Sequence, residues 1–334
     1  MMVYSNAGKG MMRKKIAIII LNYNGSLDTI ECLQSLKTAN KNFEYNILIL
    51  DNGSKQSEKD KLSEWIACNT DYSQCTLSQF LDNECYEDCY IDSEVNFGFA
   101  KGNNIVIEKI KHDYQYILLL NNDTVVEKDF FDIMIEFLDN KPEIKFASCR
   151  INNYYEKNKL WNCGGVLNLW GNRRYYSEKE LNKFESTVPT TFITGCALFI
   201  STSLIVNEPC FTEKFFFGEE DYEFCMRMKK RSVKSACINK TLVYHKVSAS
   251  SNKTSTTVGK MAVHFSNRAV DMQSFYPKIV WIIWRKVMLA LLYVKSARWG
   301  FEKKSRVNLI NTVKYYSTQN VISCEDTFKM MKIK

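Results

Sequence analysis

The chain has few residues that break regular structure. Four prolines and thirteen glycines in 334 residues argue against a disordered or linker-rich protein. Its three histidines do not pair as a zinc motif. No Gly-x-x-x-x-Gly-Lys-Ser/Thr occurs, which excludes a P-loop, and no Gly-x-Gly-x-x-Gly follows the first apolar run, which weakens a dinucleotide-binding reading. No Gly-x-Ser-x-Gly elbow for a nucleophilic serine is present. Long apolar runs are missing too. Residues 275–299, "FYPKIVWIIWRKVMLALLYVKSARW", are interrupted by Arg285 and Lys286 and fall short of the ~20 residues a membrane span needs. The run Ile16 to Leu21 is too short for a signal peptide, and no small-residue cleavage site follows it.

The features that are present set further bounds. A net charge of +8 suits anionic small ligands or an acidic membrane surface. The Lys and Arg residues are spread along the chain without a dense basic tract, so nucleic acid is not an expected partner. Twelve cysteines in a chain without an export signal read as reduced thiols and imply a cytoplasmic location. Cys68, Cys75, Cys85 and Cys89 are spaced by seven, ten and four, which matches no familiar zinc pattern. They read as free thiols in an insertion.

The first half alternates between strand and helix. Lys15 to Leu21 and Tyr45 to Leu50 read as buried strands, with Leu27 to Thr38 and Glu58 to Ala67 as helices. Residues 68–90 are polar and read as an irregular insertion, with a short strand near Ile91. Gly102 to Lys111 is expected to be helical, Tyr116 to Leu120 a strand, and Lys128 to Asp139 a helix. This rhythm predicts an α/β fold with a mostly parallel sheet covered by helices on both faces. In such sheets ligands bind beyond the carboxyl ends of the strands. Those ends carry "NYNG" (22–25), "DNGS" (51–54), "NFGFAKGNN" (96–104) and "NNDT" (121–124). Later, "TFITGCALFI" (191–200) reads as a strand or buried segment. Residues 275–299 carry Trp flanked by Lys and Arg, which suits a membrane interface. Their charges do not gather on one face, and a buried helix fits equally well.

The candidate chemistry lies in carboxylates. Asp51 could accept the imide N–H of a uracil or thymine base, or cap the turn at Asn52 and Gly53. Asp123 could ligate Mg²⁺ or Mn²⁺, or cap the following helix. The stretch "FFFGEEDYEFCMRMKK" (215–230) stacks Glu219, Glu220, Asp221 and Glu223 behind an apolar run. Acids there complement a helix N-terminus, and Glu223 can pair with Arg227 at i,i+4. The other reading is that one of the four is a catalytic base.

Seven segments occur in one order: "IAIIILNYNG", "ILILDNGS", "NFGFAKGNN", "YILLLNNDT", "FITGCALFI", "FFFGEEDYEFCMRMKK" and "LVYHKVSASS". Together they cover residues 14–251, and in them the chain resembles the family 2 glycosyltransferases of GT-A fold, most closely the rhamnosyltransferase-like branch. The resemblance implies a tail (1–13), a catalytic domain (14–251) and a helical C-terminal extension (252–334). Within the catalytic domain it implies a nucleotide-binding part (14–125) and an acceptor-binding part (126–251). It also implies roles. Asn22, Tyr23, Asn24, Asp51 and Asn52 would hold the nucleoside of a nucleotide-sugar. Asn96, Gly98, Gly102 and Asn103 would lie along the nucleotide, with Asn122 beside it. The family's Asp-x-Asp metal motif reads "NND" here, which leaves Asp123 to carry the divalent cation, joined by His245. Asp221 matches the family's catalytic base, with Gly195 and Glu220 on the acceptor side. Glu223 stands where the family has a second Asp, and Glu219 is an extra acid.

The implied activity is inverting transfer of one sugar, rhamnose from dTDP-L-rhamnose, to a glycan or lipid-linked acceptor in surface polysaccharide synthesis. Another UDP- or dTDP-sugar donor, or a non-catalytic nucleotide-sugar-binding protein, is the alternative. Processive relatives carry Gln-x-x-Arg-Trp. Here Arg298-Trp299 is preceded by Lys295 instead of Gln, so a non-processive enzyme is expected, at most peripheral on the inner face of the membrane.

Overall fold

The computed structural model describes residues 14–40, 42–82, 87–168, 170–247 and 256–334. The N-terminal tail, Cys85 and the end of "LVYHKVSASS" lie outside the described residues.

The N-terminal half begins with β1 (Lys14–Asn22), α1 (Ser26–Thr38), β2 (Tyr45–Asn52) and α2 (Gln56–Asn69). It continues with β3 (Ser73–Thr76), α3 (Leu77–Asp82), β4 (Cys89–Ser93), α4 (Gly98–Ile110) and β5 (Tyr114–Asn121). The second half holds β6 (Thr124–Val126), α5 (Phe130–Asn140), β7 (Ile144–Asn153), β8 (Leu160–Asn162), β9 (Gly165–Leu167) and β10 (Arg173–Tyr175). Then come α6 (Glu178–Leu181), β11 (Thr187–Thr190), β12 (Ala197–Ser201), α7 (Glu220–Lys230) and β13 (Lys234–His245). Four helices close the chain: α8 (Thr257–Phe275), α9 (Lys278–Arg298), α10 (Lys303–Tyr316) and α11 (Cys324–Met331).

The main sheet runs β11-β13-β7-β12-β5-β1-β2-β4-β3. β3, β4, β2, β1 and β5 are parallel. Antiparallel β12 separates β5 from β7, and β7 and β13 are again parallel to each other. The run of Ile in β1 explains why this strand is central. Ala17 and Ile19 face one core, shared with α4 and α7. Ile16, Ile18 and Ile20 face the other, shared with α1, α2 and α5. Each fully buried Ile stabilises the sheet by about 1.5–3 kcal/mol, and a strand apolar on both faces has to lie between two helix layers.

Two expectations are corrected. Residues 68–90 are not an irregular insertion: β3 pairs in parallel with β4 as an edge strand and is followed by helix α3. β3 is polar because it is a short edge strand whose side chains face water. Helix α4 begins at Gly98, four residues before the position expected from its apolar spacing. Its first turns hold Asn103 and Asn104, both buried. The Asn104 amide spans to Phe211, donating to its carbonyl at 2.9 Å and accepting its N–H at 3.0 Å.

A third core joins α8, α9, α10 and α11 to Phe215 and Ile322. Among the described residues no helix is long and apolar enough to cross a membrane. The described cysteines are all free thiols, and Cys75 and Cys89 approach to 3.4 Å between sulfurs.

Candidate active site

The carboxyl ends of β1, β2 and β5 bring the first group of residues together. Asn22 donates to Asp51 Oδ2 at 2.7 Å, and the Ser54 N–H donates to Asp51 Oδ1 at 2.8 Å. Asp51 is fully buried, and burial raises its pKa against these two hydrogen bonds. Its carboxylate therefore closes the turn through Gly53, whose φ is +77°. Asn24, itself at φ +51°, donates its N–H to Ser54 Oγ at 2.8 Å and accepts from Lys55 N–H at 2.8 Å. Tyr23 is exposed beside it. Asn122 donates to Thr29 Oγ1 at 3.0 Å and to Asn22 Oδ1 at 3.3 Å.

Asn52 fixes the neighbouring loop. Its amide donates to Asn96 Oδ1 and the Gly98 carbonyl, both at 3.1 Å, and accepts Phe97 N–H at 2.9 Å. Gly98 is at φ +78°, and a Cβ there would lie 2.0 Å from the Phe216 carbonyl oxygen. That carbonyl accepts the Phe99 N–H at 3.2 Å. The loop expected along the nucleotide is thereby tied to the segment that carries the acids. Gly102 lets α4 approach β1, since a Cβ would meet Leu21 at 2.9 Å. Asn103 donates to the Phe99 carbonyl at 2.9 Å within the helix.

Asp123 and His245 meet at the ends of β5 and β13. Asp123 Oδ1 lies 3.1 Å from His245 Nε2, and both residues are buried. Trp161 packs edge-on against the imidazole at 4.4 Å. His245 Nδ1 is buried without a hydrogen-bond partner. The 3.1 Å separation is that of an Asp–His hydrogen bond, and two ligands of one small cation, each at about 2.1 Å and at right angles, would also lie about 3 Å apart. Among the described residues no group of three or more His, Cys, Asp or Glu that could hold a metal ion occurs.

The four acids of α7 and its approach separate cleanly. Glu219, at φ +77°, accepts from His264 Nδ1 at 2.6 Å and Arg268 Nε at 2.6 Å. Arg173 Nη2 lies 3.4 Å from it. Burial alone would raise the Glu219 pKa, but Arg268, His264 and Arg173 overcome it and hold the carboxylate well below its usual range. Glu220 is buried and accepts the Gly218 N–H at 2.6 Å. Burial, with Asp221 and Glu219 adding to it, pushes its pKa up to about 8. Glu223 pairs with Arg227 Nε at 3.1 Å, the expected i,i+4 contact.

Asp221 differs from the other three. Its side chain is 21% exposed, and its contacts are long: 3.8 Å from Arg173 Nη1 and 3.4 Å from the Gly195 N–H. Burial raises its pKa while Arg173 opposes the rise. Gly195 also packs against Phe99, where a Cβ would lie at 3.3 Å.

Sequence reading missed Arg173, His264 and Arg268. His264 and Arg268 sit at i,i+4 on α8, and that cationic spacing was the one available signal. Arg268 lies over the Tyr222 ring at 3.3 Å and donates to the Gly171 carbonyl, which also accepts the Tyr222 hydroxyl at 2.9 Å. Asn267 donates to the carbonyls of Phe217 and Gly218 at 3.0 and 2.8 Å. The C-terminal helices thus hold the acidic segment in place.

Comparison with known families matches residues 17–205 to Glycosyl transferase family 2, more than half of the chain. The chain belongs to this family. It is a glycosyltransferase with a GT-A-like fold. No curated protein matches the sequence at a significant level. Among solved structures, GalNAc-T7 with UDP, GalNAc and Mn²⁺ is similar at TM-score 0.59 and 12% identity, over 96% of this chain and 57% of that one. The chain spans little more than half the length of that relative. TarS 1-349 of S. aureus in complex with UDP-GlcNAc is similar at TM-score 0.56 and 11% identity, over 95% and 89% of the two chains. The mannosyltransferase PcManGT from Pyrobaculum calidifontis, with GDP-Man and Mn²⁺, is similar at TM-score 0.53 and 9% identity, over 93% and 88%. At these identities the likeness shows the fold.

Proposed function

We propose that this glycosyltransferase is inverting and non-processive. It moves one sugar, rhamnose from dTDP-L-rhamnose, to a hydroxyl of a glycan or lipid-linked acceptor in cell-surface polysaccharide synthesis. The observation that carries the mechanism is the isolation of Asp221. Of the four neighbouring acids it alone is partly exposed with no close cationic partner.

Asp221 takes the proton of the acceptor hydroxyl as that oxygen forms its bond to the anomeric carbon. The bond from that carbon to the diphosphate breaks on the opposite face, which inverts the configuration. The raised pKa of Asp221 makes it a stronger base than an ordinary carboxylate. Arg173 limits that rise. The Asn22–Asp51–Ser54 turn seats the nucleoside, and Asn52 holds the loop over the phosphates. A divalent cation, Mg²⁺ or Mn²⁺, held by Asp123 and His245 would neutralise charge growing on the leaving diphosphate. The fold relatives solved with Mn²⁺ support the cation. The rhamnosyl donor is supported by the sequence resemblance.

The test is a thermal-shift and transfer screen with UDP, dTDP, GDP and their sugars, with and without Mn²⁺. A ligand at 100 times its Kd stabilises the folded state by about 2.7 kcal/mol. A Mn²⁺-dependent shift and sugar transfer with dTDP-L-rhamnose are expected. A shift confined to GDP-sugars would reject the donor assignment.

A further inference from the structure

We propose that the outward face of α9 is a docking surface for a bilayer that carries anionic lipids. Val280, Ile283, Val287, Leu291 and Val294 recur every three or four residues, so they form one stripe along the helix. They are 46%, 59%, 50%, 53% and 49% exposed. Ile279, at 74%, extends the stripe at its N-terminal end. No described residue covers them. The stripe is about 20 Å long at 1.5 Å per residue.

The helix cannot turn this face inward. Its opposite side is committed: Trp281 and Leu292 are buried, Trp281 Nε1 donates to the Ala269 carbonyl at 2.8 Å, and Arg285 Nε donates to Ser317 Oγ at 2.6 Å. Nor can α9 cross a bilayer, being too short in apolar length. An apolar stripe on a helix fixed to a folded body fits a membrane plane, with burial to the depth of the headgroups.

The charges choose the occupant. Helix α9 contains no Asp or Glu. By helical periodicity Lys286 borders one edge of the stripe and Lys295 the other, and Lys278 and Arg298 stand at the two ends. Cations around an apolar face complement anionic headgroups. They disfavour a second copy of the same face, because two such rims would meet with like charge. Trp299 is 45% exposed at the C-terminal end, where an indole suits the interface.

The face also adjoins the catalytic site. Trp284 Nε1 donates to the Trp170 carbonyl at 2.9 Å, and Trp170 is 71% exposed. The next residue, Gly171, takes the Tyr222 hydroxyl, and Arg173 reaches towards Asp221. A bilayer on α9 would place headgroup-level acceptors near the general base. The membrane proposal itself does not depend on which donor or acceptor the enzyme uses.

The experiment is co-sedimentation of the full chain with phosphatidylcholine vesicles and with equimolar phosphatidylcholine–phosphatidylglycerol vesicles. Binding is expected to the anionic vesicles, falling as salt rises. Neutralising Lys286 and Lys295 to Gln should weaken it about five-fold per cation. The double variant Ile283→Glu, Leu291→Glu should abolish it, with an unchanged melting temperature because both residues are exposed. Loss of sedimentation with both vesicle types would overturn the proposal. So would binding that survives the Ile283→Glu, Leu291→Glu change. A dimer in light scattering that the same change disperses would assign the face to a second copy instead.

Discussion

Asp221, the proposed base, and Glu219 are neighbouring carboxylates in different surroundings. Glu219 is enclosed by Arg268, Arg173 and His264, whereas Asp221 has only long contacts. Asp221→Asn is expected to lower transfer by about 10²–10⁴-fold, with donor affinity unchanged by calorimetry. Loss of donor binding in that variant would remove Asp221 from the role of base. Glu220 gives a pH signature. Its folded pKa of about 8 lies above its ordinary 4.5, so between those values the folded state keeps a proton that the unfolded state releases. Stability from this group is therefore highest below the lower value and declines as pH rises through the window. Glu220→Gln keeps an acceptor for Gly218 and removes the titration. The melting temperature of the variant should gain on the parent between about pH 5 and pH 8, and a constant difference across that range would contradict the burial effect.

At the scale of elements, the approach of Phe216 to Gly98 couples two loops that the sequence keeps far apart. Gly98→Ala would force a Cβ into the Phe216 carbonyl at a positive φ, and a cost of about 1–3 kcal/mol or more is expected. Chemical denaturation measures it, and an unchanged midpoint would mean that the loops are not held together. Arg268→Met leaves Glu219 with fewer partners in a buried site, for which a loss of about 3–5 kcal/mol is expected. A fall in kcat should accompany it. Much of this arrangement was legible in the sequence. The Ile run of β1 and the polar strand ends announce a parallel sheet and its ligand edge, because two-sided burial and strand-end loops leave strong local patterns. β3 was not legible, because a solvated edge strand has no apolar alternation to read. The start of α4 was placed four residues late, at Gly102, because Gly98 at positive φ has loop-like chemistry, whereas the close approach of the Phe216 carbonyl is what requires it. Arg173, His264 and Arg268 stayed hidden because their partnership with Glu219 is a long-range contact.

On the scale of the whole molecule, the sheet is the rigid body and the C-terminal helices are its clamp. Amides of β1 and β5, paired on both sides in the sheet centre, should exchange with solvent only through global unfolding. Those of β3, at the edge and polar, should exchange orders of magnitude faster. Equal protection of the two regions would contradict this hierarchy. Chelation of divalent ions is expected to leave the melting temperature without nucleotide nearly unchanged. It should remove the stabilisation that a nucleoside diphosphate adds, since Asp123 and His245 supply only part of a coordination shell.

The clamp also sets an order in time. Glu219 leaves the ribosome 49 residues before Arg268, the cation that seats it. At about 5–20 residues per second the wait is about 2–10 s. During that interval the sheet can fold, but the segment that positions Asp221 has no partner on α8. A nascent or prematurely terminated chain would thus carry the strands proposed to bind nucleotide without a seated Asp221, the proposed base, and is expected to bind its donor without consuming it.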